Sequence, residues 1–122
     1  MKKILIVDDR IEPRELVEVA LRSGRYQLLQ AENGAKAIAI AREEKPDLII
    51  MDVMMPGIIN GLEATRALKN DPETNDITIL MLTVKAQEED RKKGLDAGAA
   101  GYLSKPFSPL ELIKKVEEVL DS

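Results

Sequence analysis

The chain has 122 residues, 44% of them hydrophobic and 33% charged, with a formal net charge of −4, which is one domain's worth of polypeptide with the balance of a water-soluble protein. It contains no cysteine and no histidine, so disulfides, thiolate or imidazole catalysis, imidazole metal ligation and a phosphohistidine of its own are excluded, and any metal must be a hard, oxygen-bound cation. Scattered basic residues and only Tyr26, Tyr102 and Phe107 as aromatics give no support to nucleic-acid binding. No apolar run is long enough for a membrane span or a signal peptide, so a cytoplasmic protein is expected.

Strand-length apolar runs alternate with segments of helical period, the pattern of repeated βα units around a parallel sheet. Lys2–Val7 reads as the first strand. Pro13–Leu21 follows as a helix whose Leu16, Val17, Ala20 and Leu21 recur at three and four. Tyr26–Ala31 is a less apolar strand, suited to a sheet edge. After Asn33-Gly34, a helix over Ala35–Ala41 is stopped by Pro46. Asp47–Asp52 is the third strand, apolar on consecutive positions from Leu48 to Met51, so both of its faces should be buried.

Asn60 with Glu63, and Ser108 with Glu111, carry the spacing of capping boxes and mark two helix starts. Ile77–Thr83 is the fourth strand and Tyr102–Ser104 a short fifth. Between them Ala86–Ala97 has few apolar residues, a solvated charged run from Glu88 to Lys93 and an interior Gly94, and should be the loosest element. Met51, Met54 and Met55 read as gap-filling core residues. Residues 1–122 are expected to form one domain.

Four of the apolar runs end on chemistry: Asp8 and Asp9, Asp52, Thr83, and Lys105. In a parallel sheet these ends share one edge, where open α/β sheets place their ligands. Singly, each has an ordinary structural reading, as a cap, a strand end or a loop lysine. Together they make a site. Like charges about 4 Å apart repel by about 4 kcal/mol at an effective dielectric near 20, so the carboxylates call for a raised pKa or a cation, and an all-oxygen donor set suits Mg²⁺. Asp52 is the natural nucleophile, a carboxylate that can become an acyl phosphate while Lys105 neutralises the incoming charge.

In this order, Asp8-Asp9, Asp52 before Met55-Pro56, Thr83, and Gly101-Tyr102-Leu103-Ser104-Lys105-Pro106-Phe107, the chain resembles the receiver domains of the response-regulator family of two-component signalling. The resemblance implies a single doubly wound (βα)5 parallel sheet of flavodoxin-like type with strand order 2-1-3-4-5. It implies that Asp52 accepts a phosphoryl group from the phosphohistidine of a histidine kinase or phosphotransfer protein. Asp9, Asp52 and the backbone carbonyl of Met54 would hold Mg²⁺, with Asp8 acting through water. Thr83 and Lys105 would bind the phosphoryl oxygens, Tyr102 would turn inward behind Thr83, and the bond before Pro106 would be cis. The output surface would be the Ala86–Ala97 helix, the Tyr102–Ser104 strand and the Pro109–Leu120 helix, read by a downstream protein of unstated identity.

Three departures from the family pattern carry expectations of their own. The Pro56–Gly61 loop has one additional residue and would expose Ile58 and Ile59 to a partner. Val84 follows Thr83 where a smaller residue is usual, narrowing access to the phosphoryl group. Met54 and Lys85 flank the site, and a methionine cannot position an attacking water, which predicts slow dephosphorylation. The Ala99-Ala100-Gly101-Tyr102 segment lacks the charged dimer contacts common in the family, so a monomer or weak dimer is expected. Two other functions remain open: a haloacid-dehalogenase-type phosphohydrolase, disfavoured by adjacent aspartates in place of an Asp-x-Asp pair, and a pseudo-receiver working without phosphorylation.

Overall fold

Strands and helices alternate along the chain in the order β1 (Lys2–Val7), α1 (Ile11–Leu21), β2 (Tyr26–Ala31), α2 (Gly34–Glu44), β3 (Leu48–Asp52), α3 (Gly61–Lys69), β4 (Thr78–Val84), α4 (Glu88–Asp96), β5 (Gly101–Lys105) and α5 (Pro109–Asp121). This computed structural model describes residues 1–55, 59–84 and 88–121, leaving aside the side chains of Glu88 and Asp90. The strands form one sheet in the order β2-β1-β3-β4-β5, with every neighbouring pair parallel. β2 lies at the expected edge. No described helix is long and apolar enough to cross a membrane.

Alternation along the strands divides the core between the two faces of the sheet. Leu5, Val7, Ile49, Met51, Ile79 and Met81 point to one face, where Ala37 and Ala41 of α2 and Leu62, Ala64 and Leu68 of α3 cover them. Ile4, Ile6, Leu48, Ile50, Leu80 and Leu82 point to the other, against Val17 and Leu21 of α1 and Leu112, Val116 and Val119 of α5. All five residues of β3 are buried, as its unbroken apolar run requires.

The helix ends follow local chemistry. Asn60 and Glu63 make a reciprocal capping box at α3, with hydrogen bonds of 2.9 and 3.2 Å, and Ser108 and Glu111 make another at α5, both at 3.1 Å. α2 runs on to Glu44, where Lys45 takes the left-handed conformation at φ 49° and its N–H closes on the Ala41 carbonyl; Pro46 then bars continuation.

Several expected boundaries and exposures are corrected. α1 begins at Ile11, because Pro13 falls in the first turn, where a missing N–H costs no intrahelical bond. Its Leu16 is 71% exposed, since Val17, Ala20 and Leu21 carry the face that packs on the sheet. Asp47 precedes β3, its carboxylate accepting from the Lys3 N–H at 2.8 Å. β4 is shifted one residue, to Thr78–Val84, and β5 extends to Gly101–Lys105, in register with Leu80–Val84. Met51 and Met55 are core residues, but Met54 is 54% exposed at the sheet edge. Ile59 is half-buried against the first core cluster, and Pro56, Gly57 and Ile58 lie outside the described residues, as do Lys85, Ala86 and Gln87.

Candidate functional site

The strand order reverses its direction of growth between β1 and β3, opening a crevice at their carboxyl ends. Asp8 and Asp9 follow β1 directly, and Asp52 is the last residue of β3. One carboxylate oxygen from each of the three lies within 4.8 Å of the others. Asp8 and Asp52 are buried and Asp9 half-buried. Lys105, closing β5, crosses to this cluster: its Nζ donates to Asp52 Oδ1 at 3.1 Å and approaches Asp8 Oδ2 at 3.5 Å. The Lys105–Pro106 peptide bond is cis.

Backbone packing holds the acidic residues in place. The Asp8 N–H donates to the Ala31 carbonyl at 3.2 Å, and Asp8 Oδ1 accepts from the Arg10 N–H at 3.0 Å. Arg14 of α1 donates from Nη1 to the Asp8 carbonyl at 2.7 Å and from Nε to Gln30 at 3.0 Å, bracing the β1–α1 turn against β2. A Cβ at Gly61 would stand 2.1 Å from the Asp52 carbonyl oxygen, so only glycine lets α3 start this close to the end of β3. Neither Arg14 nor Gly61 stands out by periodicity; Arg14 sits on a helix face where any long polar residue would look at home.

Burial raises the pKa of the Asp52 carboxyl; the Lys105 ammonium opposes that shift, Asp8 reinforces it, and hydrogen bonds from Lys105 and the Met54 backbone work against it. Among the described residues three carboxylates thus face one ammonium, an imbalance that a divalent cation with oxygen ligands would correct. The donor set fits Mg²⁺.

Thr83, at the same edge, follows Leu82, whose backbone is in register with Asp52. It is 1% exposed, and its Oγ1 is the one buried side-chain polar atom without a hydrogen-bond partner among the described residues. Such an atom costs about 1–3 kcal/mol unless a ligand completes it. Tyr102 is not part of the carboxylate cluster. It sits on β5, half-buried, where Arg91 of α4 stacks its guanidinium 3.9 Å above the ring centroid and donates to the phenolic oxygen. Sequence reasoning missed Arg91, which lay in a charged run that reads as a solvated face.

The family model of the response regulator receiver domain matches residues 4–117. This chain belongs to that family. Receiver domains are signalling modules of two-component systems; they bind Mg²⁺ at an acidic site and interact with histidine kinases or phosphotransfer proteins. Over 119 residues this receiver is 48% identical to the phosphate regulon transcriptional regulatory protein PhoB of Pseudomonas aeruginosa, covering 98% of this chain and 52% of PhoB. The chain therefore spans about half the length of that relative. It is 44% identical to Protein PilH of the same organism, over 98% of both. Among solved structures, a putative response regulator from Chloroflexus aurantiacus superposes with a TM-score of 0.93 at 36% identity, over 99% of this chain and 98% of that one. The receiver domain of the sensor histidine kinase PA1611 from Pseudomonas aeruginosa, with a magnesium ion coordinated in its active-site cleft, gives 0.89 at 31% identity over 99% and 98%.

Proposed function

We propose that residues 1–122 form one phosphorylation-dependent switch in which Asp52 is the phosphoacceptor. The observation that carries this reading is a buried carboxylate, hydrogen-bonded to Lys105, on the same sheet edge as a buried hydroxyl that has no partner among the described residues. In the transfer, an Asp52 oxygen attacks the phosphorus of a donor's phosphohistidine, a P–O bond forms, and the P–N bond breaks with its electron pair leaving on the imidazole. Asp9, Asp52 and the Met54 carbonyl would hold Mg²⁺, with Asp8 acting through water; bound there, the ion screens the charge of the arriving group.

Thr83 and Lys105 then act as the sensor. A phosphoryl group brings about −1.5 to −2 charges and three acceptor oxygens, giving the Thr83 hydroxyl the partner it does not have among the described residues and Lys105 a stronger one than a carboxylate. As Thr83 moves toward the phosphoryl group, Tyr102 turns into the space behind it, carrying the change to the surface of α4, β5 and α5. Met54 offers an attacking water no polar group, which favours a long-lived phosphoryl state.

The donor's docking place is supported by an apolar groove of about 560 Å³ between α1 and the β5–α5 connection, lined by Leu16, Val17, Pro106 and Phe107 and ending at Lys105. A protein donor presenting phosphohistidine to Asp52 would cover that groove, so the exposed Leu16 serves the partner rather than the core.

Incubation with acetyl phosphate and Mg²⁺, followed by intact-mass measurement, tests the reading. The parent should gain one phosphoryl group and Asp52→Asn none. Modification of Asp52→Asn to the parent's extent would overturn the assignment, and turnover of small phosphate esters by the parent would favour the phosphohydrolase alternative.

A further inference from the structure

α4 is tied to the sheet by little apolar contact. Gly94 is the one buried residue among its described positions, and a Cβ there would stand 2.2 Å from Met81 Sδ, so the helix reaches β4 through an absent side chain. Its other described tie is Arg91, whose guanidinium covers the Tyr102 ring and donates to its hydroxyl. Tyr102 is in register with Met81, the residue beneath Gly94, so the stacked arginine and the glycine contact adjoin one another. Leu95, Asp96 and Lys92 complete the surface around the ring.

We infer that Arg91 is a positioning residue that latches Tyr102 against α4 and so holds the unphosphorylated switch in its resting arrangement. The inference rests on the reading of Thr83 and Tyr102 as coupled switch residues and adds the element that sets their resting equilibrium. A ring clamped on one face by a guanidinium and at its hydroxyl by the same group cannot turn toward Thr83 until both contacts part. A charged group stacked at a half-exposed ring loses little on release, because water reclaims the guanidinium, so the contact biases the equilibrium without freezing it. If the form able to take phosphate is a minor population, loosening the latch raises that population and the modification rate with it. A merely structural arginine predicts the opposite sign, since its loss would slow the reaction or leave it unchanged.

The test uses the full chain in a Tyr26→Phe background, leaving Tyr102 as the sole tyrosine. Two quantities are measured in the parent, Arg91→Ala and Arg91→Lys: the side-chain rotamer populations of labelled Tyr102 by NMR without phosphate, and the rate of Asp52 modification by acetyl phosphate. Arg91→Ala should shift the ring to a second rotamer and speed modification about five- to tenfold, near the low end for one exposed cation–π contact plus one hydrogen bond. Arg91→Lys, keeping the charge but losing the planar fork, should fall between. In a Tyr102→Ala background, Arg91→Ala should have no effect on the rate. Unchanged rotamer populations, or the same acceleration without Tyr102, would overturn the latch. A ring that turns in a protein that acetyl phosphate never modifies would leave the latch standing and remove the phosphoacceptor reading instead.

Discussion

α5 and α4 flank the same end of the sheet and are built oppositely. α5 buries Leu112, Val116 and Val119, a stripe at i, i+4 and i+7 that locks it onto the second core cluster. α4, among its described residues, buries only Gly94 and meets the sheet through a close backbone approach and one arginine. The groups that would do chemistry stand at the strand ends: Asp8 and Asp9 just past β1, Asp52 closing β3, and Lys105 closing β5. A binding site needs fixed geometry and a readout needs a low-cost alternative arrangement, so stable and weakly held elements sit side by side.

Truncation tests the firm side first. Leu112→Ala should cost about 2–5 kcal/mol in denaturant unfolding, the range for a fully enclosed leucine, and a loss under 1 kcal/mol would show that α5 is held more weakly than its stripe implies. On the weak side the instructive change adds an atom. In an ordinary helix Gly94→Ala would stabilise by about 1 kcal/mol, yet the new Cβ would meet the enclosed Met81 thioether at 2.2 Å. Overpacking of about 1–3 kcal/mol should outweigh the propensity gain and leave a net loss near 1 kcal/mol. A stabilised Gly94→Ala protein would mean that α4 does not sit so close to β4.

Much of this contrast is written in the sequence. The parallel sheet follows from apolar runs bounded by helical periods, β3's burial from consecutive apolar residues, and both capping boxes from two pairs at fixed spacing. The convergence of Asp8, Asp9, Asp52 and Lys105 follows from their places at strand ends. Leu16 and Met54 were misplaced because composition says only that a side chain is apolar, and whether a neighbouring element covers it is a tertiary fact. Gly94 looked like a weakness alone, since its use, the close approach to Met81, depends on a residue in another element. Arg14 and Arg91 were invisible for the same reason: their partners, the Asp8 carbonyl and the Tyr102 ring, are fixed only by the fold.

If the groove beside Lys105 receives the donor, recognition of the donor and the chemistry of the site can be separated by substitution. Leu16→Asp removes an exposed apolar side chain, so stability should stay within about 0.5 kcal/mol of the parent. Modification by acetyl phosphate should be unchanged, while transfer from a phosphohistidine protein should fall roughly tenfold, the scale of one interface anchor. Equal losses with both donors would place Leu16 in the folding of the site and leave the groove without a role.

The smallest effect is a dependence on pH. Burial raises the Asp52 pKa in the folded protein, whereas in the unfolded chain the carboxyl titrates in the ordinary range. Between those two values the folded state holds more protons than the unfolded one, so this group makes stability fall as pH rises through the window. Above the raised value the cost is fully present; below the ordinary value it vanishes. Asp52→Asn deletes the titration, so in chelator the variant should gain stability over the parent as pH climbs through that window, then hold a constant advantage. Added Mg²⁺ should shrink the advantage, because a cation shared by Asp9 and Asp52, as proposed, would stabilise only the ionised parent. A variant–parent difference that is flat with pH in chelator would show that Lys105 already compensates Asp52 in full, and that the carboxylate cluster carries no excess charge for a cation to relieve.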